Sequence, residues 1–267
     1  MNAIKLFKKE EPKKKPRVAI HSITGCAGCQ LVIYFIRDKL LELLGEIDLV
    51  SAPMIKGKNE PGPYDICFVE GMVATEGDLE NLKKWREEST FLVAWGTCAT
   101  HGNVPGIKIY WDEKEIVKKV YSDTSNLQGK TKPVKPTPIE THVKVDYSIS
   151  GCPPDEIEFL RMMQHFLMKI KPKIYTEPVC VECTQLEIKC LLEDGKECLG
   201  PMIRGGCNAL CPAVGHGCTG CHGPLEDANI PQVMKLLEQN GISKELIKQR
   251  LQKYAGLKFE ELGVEFN

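Results

Sequence analysis

The residues of this sequence best suited to chemistry are its thirteen cysteines, and their spacing is not random. Cys26 and Cys29 lie in TGCAGC, Cys98 in GTCATHG and Cys152 in GCPP. Eight more follow as Cys180-x2-Cys183-x6-Cys190-x7-Cys198 and Cys207-x3-Cys211-x6-Cys218-x2-Cys221. No secretory segment or twin-Arg pair is visible near the start, so a reducing, cytosolic setting is expected. There, closely spaced thiols act as metal ligands more often than as disulfides, and the odd count agrees. Four thiolates suit a 4Fe–4S cube, which takes one per iron. They also suit a four-cysteine zinc site. For the C-terminal eight, a first-four and last-four division is the simplest one.

Those thiols need a scaffold. RVAIHSI (17–23), IDLVSAPMI (47–55), YDICFVEG (64–71), TFLVAWGTC (90–98) and VKVDYSISGC (143–152) read as five strands. Between them, QLVIYFIRDKLLELLGE has apolar residues at helical spacing, with Gly45 as a stop. A second helix is expected from Thr75, with Asp78 in capping-box position. PPDEIEFLRMMQHFLMKI reads as a helix opening on prolines. Alternating strands and helices with near-continuous apolar strands predict an α/β fold with a flavodoxin-like parallel sheet. In such a sheet the carboxyl ends of all strands face one edge, where ligands bind. Cys26, Cys29, Cys98 and Cys152 would meet there, as would Glu70, which could tune a cluster or carry protons.

Residues 101–142 read as a long surface excursion. From about 173 the strand and helix patterns stop until 231. Cysteine, glycine and proline replace them, so bound metal must supply the missing cross-links. PQVMKLLEQNG and SKELIKQRLQKYAG then read as two helices, each closed by glycine. The division expected is a basic flexible tail (1–16), a flavodoxin-like domain (17–172) and a loop-rich iron–sulfur domain with C-terminal helices (173–267). Cys67, inside a strand, reads as an inert core thiol. His101, His216 and His222 lie near cysteines and could replace a ligand or bond a sulfide.

Charge is balanced, Lys+Arg 35 against Asp+Glu 36, so no protein-wide field favours nucleic acid. No run of about 18 apolar residues suggests insertion in a membrane.

Taken together, TGCAGC, GTCATHG, GCPP, CLGPMIRGGC and CTGCHGP make the chain resemble the small, electron-transferring subunit of nickel–iron hydrogenases over residues 17 to 224. The cytosolic sulfhydrogenase and methyl-viologen-reducing branch, associated with heterodisulfide reductase, is the most similar. Exported members use a histidine where Cys180 stands, and Cys211 adds a thiol that many relatives lack. The N-terminal part is also similar to the cluster-bearing subunit of respiratory complex I. The resemblance implies three 4Fe–4S clusters: proximal on Cys26, Cys29, Cys98 and Cys152; medial on Cys207, Cys211, Cys218 and Cys221; distal on Cys180, Cys183, Cys190 and Cys198. It implies as partners a hydrogenase large subunit carrying nickel–iron and a flavin- or ferredoxin-type acceptor subunit. The other readings are a zinc-stabilised, non-redox binding module and a complex-I-like, quinone-linked subunit with a single cluster.

Overall fold

The computed structural model describes residues 14–123, 125, 127–172 and 175–266. Residues 1–13 of the expected basic tail lie outside the described residues. In chain order the first elements are β1 (Arg17–Ser22), α1 (Gly28–Phe35), α2 (Asp38–Glu46), β2 (Asp48–Ser51), β3 (Tyr64–Glu70), β4 (Val73–Thr75) and α3 (Glu76–Glu87). There follow β5 (Ser89–Trp95), α4 (Thr97–His101), α5 (Asn103–Gly106), α6 (Glu113–Val120), β6 (Pro133–Thr137), β7 (Tyr147–Ile149) and α7 (Glu156–Leu167). The C-terminal part adds α8 (Val179–Gln185), α9 (Leu210–Ala213), α10 (Ile230–Gln239) and α11 (Lys244–Glu261).

Five strands form one parallel sheet in the order β2-β1-β3-β5-β7. Counting only these strands, this is the flavodoxin-like order 2-1-3-4-5, with its switch point between β1 and β3. Alternation along β3 sorts the core. Ile66 and Phe68 face one side with α1 and α7, through Val32, Ile33, Phe159 and Met163. Cys67 and Val69 face the other, with Leu82 of α3 and Ala99 of α4. Phe68, Trp95 and Phe159 form an aromatic triad with ring centroids 5.4–5.6 Å apart. Cys67 is therefore packed as a small hydrophobe, and burial pushes its thiol up to about 12.

The α3 cap has a second role. Thr75 and Asp78 form the expected capping box, and Asp78 Oδ2 also accepts from Thr24 Oγ1 at 2.7 Å and Ala74 N at 3.1 Å. One carboxylate thus starts the helix and anchors Thr24, the first residue of TGCAGC.

Several local expectations are corrected. The helix expected over 30–46 is split, because Arg37 adopts a left-handed φ of 49° between α1 and α2. Gly45 lies inside α2 rather than after it. Pro153 and Pro154 precede α7, whose cap is Asp155, accepting from Ile157 N and Glu158 N at 2.8 and 3.3 Å. β5 ends at Trp95 and the chain turns into α4, so Cys98 rides on a helical turn, not a strand. The 101–142 excursion contains α5, α6 and β6, and β6 pairs antiparallel with β4. The cysteine-rich segment is not bare of helix, since it holds α8 and α9.

That segment also has an apolar core, completed by the helices after it. Val179, Leu199, Met202 and Ile203 pack with Leu237 of α10 and Leu251 and Phe259 of α11. Gly241 (φ 82°) follows α10 as expected, and α11 is kinked at Ala255 (φ −143°, ψ 34°), directly before Gly256, so the expected stop falls at a break between two helical segments. A Cβ at Gly256 would lie 2.2 Å from Tyr110 Oη, so this glycine also admits a neighbour at the kink. No helix among the described residues is long and apolar enough to cross a membrane.

Candidate metal centres

All thirteen cysteines are free thiols, and twelve lie in three neighbouring groups. The first gathers at the carboxyl edge of the sheet. Cys29 begins α1 beside the switch point, where Glu70 closes β3. Glu70 is buried and accepts from Cys29 N at 3.1 Å and Gln30 Nε2 at 2.6 Å. Gly96, at φ 86°, turns β5 into α4 and is held by its N–H to Ile149 O at 2.7 Å. The turn presents Cys98, while Gly151 (φ 133°) leads β7 into Cys152. Asn103, itself left-handed at φ 49°, donates through Nδ2 to Cys98 Sγ and Cys152 Sγ, both at 3.2 Å. Those two sulfurs are therefore at most twice that distance apart.

Electrostatics ties the remaining members in. Burial drives the Cys29 thiol far up, and Glu70, Cys98 and Cys152 add to the rise. Cys98 is pushed up to about 11 by burial, opposed by the Asn103 bond and reinforced by Cys152, Cys26 and Glu70. Such thiols keep their protons at neutral pH, and a metal that binds them must displace those protons.

The second group is Cys180, Cys183, Cys190 and Cys198. Burial first, then Cys198, Cys183 and Cys190, push the Cys180 thiol up to about 11. Gly200 lets two of them close in, since a Cβ there would lie 3.4 Å from Cys198 Sγ and 3.5 Å from Cys180 Sγ. The third group is Cys207, Cys211, Cys218 and Cys221. Cys207 is pushed up to about 12 by burial and then by Glu182, with Cys221 adding to the rise. Cys221 rises to about 11, mainly by burial, with Cys211 and Cys152 contributing. All four thiols of this group, with Cys152, line a cavity of about 370 Å³.

The groups form a line. Cys152 of the first neighbours Cys221 of the third. Cys218 of the third donates its N–H to Cys198 Sγ of the second at 3.2 Å. Thr97 braces the first junction: its hydroxyl accepts from Gly151 N at 3.0 Å and donates to Cys221 O. The order along the line is therefore first, third, second, not the order in sequence.

Among the described residues no three His, Cys, Asp or Glu side chains converge as they would around one metal ion. A 4Fe–4S cube carries iron and sulfide at alternating corners and takes one thiolate per iron. Grouped thiols, the glycine beside Cys198 and Cys180 and the thiol-lined cavity fit such a cube. Of the three histidines near cysteines, His222 lines the same cavity as the third group. His222 Nδ1 bonds Gly205 O at 3.0 Å, His101 Nδ1 bonds Thr100 Oγ1 at 2.6 Å, and His216 is exposed. Asn103, Thr97 and Glu182 were not singled out by the sequence; only their place beside cysteine motifs could have drawn attention to them.

Comparison with known proteins agrees with this architecture. The family described as "NADH ubiquinone oxidoreductase, 20 Kd subunit" matches residues 26–166. The fold and the thiol edge thus define an oxidoreductase subunit. The chain is 38% identical to sulfhydrogenase 2 subunit delta of Pyrococcus furiosus, over 84% of this chain and 92% of that one. It is 34% identical to a subunit of the F420-non-reducing vhu hydrogenase of Methanocaldococcus jannaschii, over 79% of this chain and 82% of that one. Among solved structures, an NAD+-reducing [NiFe]-hydrogenase in the H2-reduced state aligns with a TM-score of 0.55 at 26% identity, covering 60% of this chain and 96% of that one. The chain belongs to the nickel–iron hydrogenase small-subunit family, in the branch of the sulfhydrogenase and F420-non-reducing enzymes.

Proposed function

We propose that this chain relays electrons from the dihydrogen-activating site of a nickel–iron large subunit to an acceptor subunit, through three 4Fe–4S clusters, in the cytoplasm. Cys26, Cys29, Cys98 and Cys152 would hold the proximal cluster, Cys207, Cys211, Cys218 and Cys221 the medial one, and Cys180, Cys183, Cys190 and Cys198 the distal one. Bound there, such clusters supply one-electron transfer at potentials set by hydrogen bonds, charge and burial. The protein's own part is to hold the thiols, exclude water and place donors and charges around them. Glu70 would tune the proximal site through its bond to Cys29 N. The observation that carries this reading is the unbroken line from Cys152 to Cys221 and from Cys218 to Cys198.

The relay would run across a flavodoxin-like domain (17–172) and a cluster domain (173–267). The large subunit would dock on the edge that carries TGCAGC, where Leu31, Tyr34 and Phe35 of α1 are exposed. A flavin- or ferredoxin-type partner, of the NAD(P), sulfur or heterodisulfide-reductase kind, would meet the cysteine-rich end. Stable interfaces of this sort bury about 2,000 Å² or more.

Metal analysis tests the reading. Anaerobically prepared protein is expected to hold about twelve iron and about twelve acid-labile sulfide per chain, with brown absorbance and EPR signals after reduction. One or two zinc in a colourless protein overturns it in favour of the binding module, and about four iron supports the single-cluster alternative.

Asn103→Leu offers a finer test. It removes the one donor shared by Cys98 and Cys152, so the proximal cluster is expected to bind on the order of 10–100-fold more weakly. Chelator challenge followed by EPR measures this, and unchanged proximal retention would refute the role of Asn103.

A further inference from the structure

We infer that Glu182 is a positioning residue for the medial site: its buried carboxylate fixes the loop that carries Cys207 and keeps the potential of a cluster held there low. The inference rests on the relay reading above and concerns a residue between Cys180 and Cys183, both assigned to a different cluster.

Glu182 projects from α8 and is only 3% exposed. Its Oε1 accepts from Gly206 N at 2.8 Å and Asn208 N at 3.1 Å. Its Oε2 accepts from Ala209 N at 3.0 Å and lies 3.7 Å from Cys207 Sγ, which donates to it as a thiol. The loop that offers these amides is strained, with positive φ at Gly206 (105°), Asn208 (56°) and Ala209 (47°). Successive amides turned to one side by such backbone form a nest, a concavity that binds anions. Here the anion is supplied by the chain itself. Two non-glycine residues remain left-handed because the surrounding bonds over-determine the loop.

The carboxylate charge sets the direction of the effect. Reduction adds an electron to a cluster, and a fixed negative charge beside one of its thiolates opposes that addition, strongly so out of water. Amide donors ease reduction where they reach a ligand sulfur, as those of Leu210 and Ala209 do at Cys207, whereas the amides of Gly206 and Asn208 are bound to the carboxylate. Because the same side chain leaves α8 between Cys180 and Cys183, it also keys the distal thiol helix to the medial loop.

The test compares wild type with Glu182→Gln in the intact, anaerobically purified complex, by iron and sulfide analysis and EPR-monitored redox titration. Absence of three clusters in the wild type defeats the relay reading itself. With three present, Glu182→Gln is expected to raise the reduced-to-oxidised ratio of the medial cluster at fixed potential about tenfold, an upward shift of about 59 mV for one electron. Proximal and distal midpoints are expected to stay in place. Loss of the medial signal alone also supports the inference; an unchanged medial midpoint overturns it and leaves the relay standing. Should Glu182→Gln not assemble, Glu182→Asp withdraws the charge by one methylene, and a smaller shift in the same direction is expected. An unchanged midpoint in that variant overturns the inference equally.

Discussion

Gly96→Ala is expected to empty the first thiol group while leaving the other two loaded. Gly96 sits at φ 86°, ψ 162°, a conformation essentially confined to glycine that costs an L-residue roughly 1–3 kcal/mol. Worse, a Cβ there would lie 2.2 Å from Cys29 Sγ. Neither side has room to yield. The Gly96 N–H is bonded to Ile149 O at 2.7 Å, which ties the turn to β7. Cys29 is buried, and its own N–H is bonded to Glu70 at 3.1 Å. The methyl group therefore expels the sulfur from the position it shares with Cys98 and Cys152. On the relay reading the variant keeps about eight of about twelve iron, loses the proximal EPR signal and no longer takes electrons from the large subunit. Full iron content with an unchanged proximal signal would show that the Cys29 sulfur does not need the space Gly96 leaves.

Much of the scaffold is legible in the sequence because its causes are local. The apolar runs of VAIHS, DICFVE and FLVAW declare strands buried on both faces, and all three are in the central sheet. Thr75 and Asp78 announce a helix start through side chains three residues apart, and the capping box is there. The misread features have distant causes. Arg37 has no residue-type preference that predicts a left-handed break. β4 has only three residues, too few to show alternation, and becomes a strand by pairing with β6 inside the supposed excursion.

The site divides in the same way. Cysteine spacing can be read directly, because a ligand is recognised by its element and its interval. The residues that hold the thiols cannot. Glu182 looks like a polar residue of an irregular cysteine-rich segment, Asn103 like a loop residue and Thr97 like a strand end. Each acquires its role only when the fold brings a second loop against it: Gly206–Ala209 for Glu182, Cys152 for Asn103 and Cys221 for Thr97. Nor does sequence order predict spatial order. The last four cysteines lie between the other two groups because Cys221 meets Cys152 and Cys218 meets Cys198.

The bond between the two halves of the molecule should fail first at Phe259. Its side chain, 1% exposed, is buried in the C-terminal core with Leu237 and Leu251. On the same stretch of α11, Gly256 meets Tyr110 and Leu257 reaches Gly102, directly beside Asn103. One turn of helix thus closes the C-terminal core and presses on the segment that donates to Cys98 and Cys152. Phe259→Ala is expected to cost about 3–5 kcal/mol, the transfer of the ring plus the cavity it leaves. For a chain of this size that corresponds to roughly 6–20 °C in melting temperature. The loss should not be confined to the C-terminal core. With α11 loosened, α4 and α5 lose their cover, and the Asn103 bonds to both sulfurs should weaken. Thermal melts followed by near-UV circular dichroism, with iron retention measured in parallel, test both parts. A normal melt would mean that α11 is not docked as described. A lowered melt with a fully retained proximal signal would mean that the first thiol group stands without the C-terminal helix.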